Sequence, residues 1–80
     1  MVWTEQNNRL ETTLTFQDFT QAWACLTEIA FAAEKQNHHP TWKNCYNKVE
    51  ISLNTHDAGD TVTEKDHRLA RTIEQIFKKY

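Results

Sequence analysis

His38 and His39, followed at once by Pro40, the only proline of the chain, fix a place where the chain must change direction. A proline ring crowds the backbone of the residue before it and drives that residue out of the helical region. A helix arriving through Glu34 is therefore expected to stop at about Asn37 or His38, with His39 extended. Side chains of consecutive extended residues point in roughly opposite directions. The two imidazoles then reach two different places, or grip one small molecule from two sides. A third histidine, His56, stands seventeen positions beyond His39.

The flanking sequence has readable periods. Val2 to Glu5 is expected to be a short strand and Gln6-Asn7-Asn8 a turn, because Asn tolerates left-handed backbone angles. From Arg9 to Phe16, Leu10, Leu14 and Phe16 fall on alternate positions with Thr12 on the same side, the pattern of a half-buried strand. Asp18 is a helix N-cap with Gln21 in the capping-box position. Phe19, Ala22, Trp23, Leu26, Ile29, Ala30 and Ala33 follow at helical spacing. Ala24, Cys25, Phe31 and Ala32 add a second apolar face, which implies that this helix is covered twice.

Beyond the histidine pair, Trp42 to Tyr46 reads as a short strand. Lys48 to Thr55 is a longer one, with Val49, Ile51 and Leu53 on one face. His56 follows at its end, ahead of Asp57-Ala58-Gly59-Asp60, which holds the single glycine. Thr63 to Asp66 forms a capping box for a last helix with Leu69, Ile73, Ile76, Phe77 and Tyr80 on one stripe. The order strand-strand-helix-strand-strand-helix predicts an α+β fold, a two-layer arrangement of a four-stranded antiparallel sheet with helices on one face. Residues 1–80 read as one domain.

A chain of 80 residues buries too little surface to be comfortable alone, so self-association is the expected reinforcement. Cys25 and Cys45 lack the spacing of a disulfide framework and read as free thiols of a reducing compartment, the cytoplasm. Nine basic and eleven acidic side chains, well mixed, argue against nucleic acid as a partner. No apolar run approaches the roughly 20 residues of a membrane span, and the N-terminus shows no signal-peptide pattern.

Histidine serves as both acid and base near neutral pH, so His38, His39 and His56 converging at element ends make a candidate proton-transfer site. Glu34, four residues before His38, is placed to orient an imidazole, and Trp42 to offer a flat wall to an aromatic ligand. The plainer alternatives are a polar turn at His38-His39 and a purely helix-capping Asp66. Three histidines also resemble a metal ligand set, but sequence neighbours rarely bind one ion and no HExxH or CxxC spacing is present.

Together these residues resemble the pterin-4a-carbinolamine dehydratases (4a-hydroxytetrahydrobiopterin dehydratases). The family pattern is an acidic residue, three positions, His-His-Pro, then an aromatic, a histidine and an aspartate at restricted spacings. Glu34, His38, His39, Pro40, Tyr46, His56 and Asp66 occupy those places, and the likeness runs from Trp3 onward. It implies loss of water from a 4a-hydroxytetrahydropterin to give the quinonoid dihydropterin, in recycling the pterin cofactor of aromatic amino acid hydroxylases. A hydroxylase of that kind is the implied companion in the pathway. Pterin is then the substrate, and neither metal nor other cofactor is required. The resemblance makes His38 and His56 the proton-transfer pair and His39 the residue that orients the pterin. Glu34, Pro40, Trp42 and Asp66 support or line the pocket. It further implies a homodimer or homotetramer. Relatives usually carry a helical segment ahead of the equivalent of Trp3, and this chain is read as beginning at that strand. The alternative is a protein-binding dimerisation or coactivator module without catalysis; some animal relatives of the family also act as coactivators.

Overall fold

Two hairpins supply the sheet, and each is closed by turn chemistry written into its sequence. The structure, a computed structural model describing residues 1–80, pairs β1 (Thr4–Gln6) with β2 (Arg9–Thr15). Gln6 lies opposite Arg9, so only Asn7 and Asn8 make the turn, both at positive φ (53° and 60°). That is the backbone of a tight hairpin whose twist matches the strands, and asparagine adopts it at low cost. The first strand thus sits later than the expected Val2–Glu5.

The second hairpin joins β3 (Thr41–Cys45) to β4 (Lys48–Leu53). Its turn places Tyr46, expected to end the strand, at φ 52°. A bulky residue there is uncommon, and side-chain amides brace the turn. Asn44 Nδ2 donates to the carbonyls of Tyr46 and Lys48, and Asn47 Nδ2 donates to that of Phe16.

The strands run β1-β2-β4-β3, all antiparallel, so β2 and β4 form the centre. Their register sets Leu10 opposite Leu53, Thr12 opposite Ile51 and Leu14 opposite Val49. All six are buried on one face. Helix α1 (Phe19–Gln36) adds Ala22, Cys25, Leu26, Ile29 and Ala33 to that core, and α2 (Glu64–Phe77) adds Leu69, Ala70 and Ile73. This is the two-layer α+β fold that the periodicity predicts. The other face of the sheet carries no helix.

Helix ends decide where the chemistry falls. Asp18 caps α1 as expected, its Oδ1 accepting from the Gln21 N–H at 2.8 Å. The reciprocal bond reaches one residue further back than a capping box requires, because Gln21 Oε1 accepts from Gln17 rather than Asp18. At the other end Asn37 turns left-handed (φ 52°), its N–H bonding Glu34 O while the His38 N–H bonds Ala33 O, each at 3.0 Å. These are the two bonds of a Schellman motif. The helix stops where Pro40 predicts, but the device that stops it is Asn37. Asp60 also lies at positive φ (58°), next to Gly59 (79°), in the loop after β4.

The last helix ends at Phe77, short of Tyr80. Tyr80 nevertheless joins the core edge, its ring edge-on to Phe16, and Glu28 of α1 accepts from both the Tyr80 hydroxyl and Lys79 Nζ. Burial, reinforced by Glu28, pushes the Cys25 thiol up to about 11, so it stays protonated and inert. No helix is long and apolar enough to cross a membrane.

Candidate active site

Two connections meet at one end of the sheet: residues 37–40, between α1 and β3, and residues 54–63, between β4 and α2. They enclose a polar cavity of about 290 Å³ lined by Asn37, His38, His39, Asn54, Thr55, His56, Asp57 and Lys65. All three histidines singled out in the sequence are therefore brought together. A larger hollow, about 480 Å³, lies on the helix-free face of the sheet and contains no histidine.

Each imidazole has its own carboxylate. His38 Nε2 meets Asp66 Oδ1 at 2.5 Å, His39 Nε2 meets Glu34 Oε1 at 2.8 Å, and His56 Nδ1 meets Asp60 Oδ1 at 3.0 Å. Their settings differ sharply. The His38 side chain is 11% exposed and Asp66 is fully buried, whereas His39 is 59% and His56 89% exposed. The buried pair also bridges the C-terminus of α1 to the first turn of α2. Both helix dipoles favour a cation at the former and an anion at the latter.

Asp66 is held by more than its imidazole. Its Oδ2 accepts from the Thr55 hydroxyl at 2.8 Å and from the Thr63 backbone N–H at 2.9 Å, the latter closing the cap of α2. Burial works against its ionisation, but the bonds from His38, the Thr63 N–H and the Thr55 hydroxyl outweigh it, and the carboxyl lies below the usual carboxylate range. An ionised Asp66 accepts only, so His38 Nε2 carries the proton of that bond. His38 Nδ1 is then the nitrogen left to exchange a proton with a ligand. At His56, the hydrogen bond to Asp60, followed by the charges of Asp60 and Asp57, raises the pKa above the ordinary histidine value.

Glu34 meets an imidazole, and that imidazole is His39 rather than His38 four residues on, because α1 ends at Gln36 and the chain no longer follows the helical spacing. Trp42 does not line the histidine cavity: it lies opposite Ile51 in the register of edge strand β3 and lines the larger hollow instead. Pro40 shapes the entry to β3 without lining the cavity, and Tyr46 is exposed at the far turn. Sequence reasoning missed Thr55, Asp60 and Lys65. Thr55 had a signal, since it continues the buried parity of Val49, Ile51 and Leu53, and a hydroxyl so placed needs a partner.

A two-layer sheet-and-helix domain with a histidine–carboxylate cluster at one end defines a class suited to acid–base chemistry on a small polar ligand. Comparison with known proteins makes it specific: residues 1–76 match the sequence model of pterin 4 alpha carbinolamine dehydratase, and the chain belongs to that family. A protein of Christiangramia forsetii, provisionally named pterin-4-alpha-carbinolamine dehydratase, is 53% identical over 95% of this chain and 77% of its own length. A Prochlorococcus marinus protein with the same provisional name is 46% identical over 96% of this chain and 79% of its own. Among solved structures, a transcriptional coactivator/pterin dehydratase from Brucella melitensis superimposes with a TM-score of 0.87 at 36% identity, covering 92% of this chain and 80% of that one. A pterin dehydratase-like protein identified as a RuBisCO assembly factor in the alpha-carboxysome shares the fold, with a TM-score of 0.77 at 18% identity.

Proposed function

We propose that the protein dehydrates a 4a-hydroxytetrahydropterin, and that the buried Asp66–His38 pair is the observation that carries this reading. The reaction breaks the C4a–O bond, the hydroxyl leaving as water after gaining a proton, while a ring nitrogen loses one. It requires proton donors and acceptors around a flat polar ring and no change of overall oxidation state, so it calls for no metal or redox cofactor. The cavity offers those groups. His38 exchanges the proton through Nδ1, with Asp66 holding its Nε2–H and orienting the ring. His39, oriented by Glu34, and His56, kept protonated over a wider pH range by Asp60, grip the ring and its departing oxygen. In this reading the hydroxylated pterin is a product of aromatic amino acid hydroxylation in the cytoplasm. Following the ultraviolet change as freshly made 4a-hydroxytetrahydropterin decays tests it: added protein is expected to accelerate the decay, and an unchanged rate would overturn the proposal.

The same reading includes a homodimer or homotetramer. Phe19, Trp23 and Phe31 project from α1 largely exposed, and Phe19 stacks on Trp23 with ring centroids 6.2 Å apart. Apolar side chains in such a row mark an association surface. Replacing Trp23 and Phe31 together by Glu is expected to lower the mass seen in sedimentation while the histidine cavity stays intact. An unchanged mass would move the contact elsewhere. These aromatics also favour the second reading, a protein-binding module. Binding of that kind would survive loss of all three histidines, whereas dehydration would not.

A further inference from the structure

We propose that Thr55 is a positioning residue for the proton-transfer site, joining its two walls through one side chain and one peptide. This rests on the dehydratase reading and adds to it a residue that touches neither proton in flight. Thr55 is buried, and its hydroxyl donates to Asp66 Oδ2 at 2.8 Å. The same oxygen lies 2.5 Å from Thr63 Oγ1. A hydroxyl has one proton, so with that proton directed at Asp66, Thr63 is the donor in the second contact. The order of donation then runs one way, from Thr63 through Thr55 and Asp66 Oδ2, and Asp66 is left unprotonated to receive the His38 Nε2–H.

The backbone of Thr55 secures the opposite wall. Its N–H donates to Thr61 O at 2.8 Å and its carbonyl accepts from Ala58 N–H at 3.2 Å. These bonds frame the single 3₁₀ turn, His56–Ala58, that carries His56. One residue therefore fixes both the tautomer of the most buried imidazole and the loop presenting the most exposed one. Valine has the same branched shape and forms the same backbone bonds, but lacks the hydroxyl. Thr55→Val consequently separates the two functions: the His56 wall is retained, while Asp66 loses one of its donors to Oδ2 and becomes easier to protonate or rotate.

The test compares wild type, Thr55→Val and Thr55→Ser in the dehydration assay across pH, with the His38 ring nitrogens followed by NMR. Thr55→Val is expected to lower kcat by roughly 10-fold, the effect of losing one hydrogen bond to a charged group, with KM nearly unchanged. The pH at which the rate falls on the acid side should move up, and the His38 Nε2–H resonance should broaden or shift. Lys65, His39, His56 and Asp57 also face this cavity, and all are untouched by the substitution, so a change confined to His38 and Asp66 isolates the relay. Thr55→Ser should restore kcat to within roughly 3-fold of wild type, since it returns the hydroxyl alone. Thr55→Ala carries the same expectation as Val and substitutes for it should Val not fold. Wild-type kcat and an unmoved His38 signal in the Val variant would overturn the proposal, as would a Ser variant no better than Val. If wild type proves inactive the dehydratase reading fails, yet the His38 resonance in the Val variant still decides whether Thr55 sets that imidazole.

Discussion

Replacing His38 by Gln is expected to cause the largest loss of activity of any single substitution in the cavity. The amide keeps a donor near Asp66 but neither takes nor gives a proton near neutral pH. Positioned acid–base groups contribute typically about 10²–10⁴-fold, and a fall in kcat of that order is expected with little change in KM. His56→Ala should behave differently. Its imidazole is 89% exposed and is held by an exposed Asp60 rather than by a buried carboxylate. A rise in KM exceeding the fall in kcat is therefore expected there. Steady-state kinetics on both variants checks the ranking: a His56→Ala enzyme with the greater kcat defect would make His56, and not His38, the principal proton-transfer residue.

The ranking is something the sequence could not supply. The family resemblance leaves His38 and His56 as an equal pair, because a sequence position does not carry burial. The periodic parts were legible for the opposite reason. Leu10 and Leu14, or Val49, Ile51 and Leu53, reveal their common face through the two-residue repeat of a strand, and that repeat is local. So is the stripe of Leu69 and Ile73. The site is built from two connections that have no period, and each partner is chosen by where those connections cross. Glu34 illustrates the point. Its four-residue step to His38 would pair the two only on a helix that continues, but Asn37 ends the helix first. His38 then swings across to α2 and His39 folds back onto Glu34. Trp42 fails as a wall of the histidine cavity for a similar reason, since pairing register and not nearness in sequence sets the side of the sheet it occupies. Asp66 was legible twice, as a cap and as a place in the family pattern, and in the structure one carboxylate both caps α2 and meets His38.

That double duty makes Asp66 the position where stability and activity are coupled most tightly. Asp66→Ala removes the cap of α2, leaves the buried Thr55 hydroxyl and Thr63 N–H without their acceptor, and strips His38 of its partner. Together these losses should cost about 2–4 kcal/mol, a large share of the about 4–12 kcal/mol expected for a domain of this length. Asp66→Asn should cost less, because the amide oxygen still accepts. The carboxyl is depressed below its unfolded value, so its ionised form favours the folded state. That contribution is complete above the unfolded pKa of about 4 and is lost as pH falls through the lower folded value. Urea unfolding of wild type and Asp66→Asn should therefore show a gap at neutral pH that narrows below about pH 4, as wild type comes to carry a neutral side chain too. A gap independent of pH would mean that the Asp66 charge does not stabilise the fold, and that its shape and hydrogen bonds alone hold α2 to the histidine cavity.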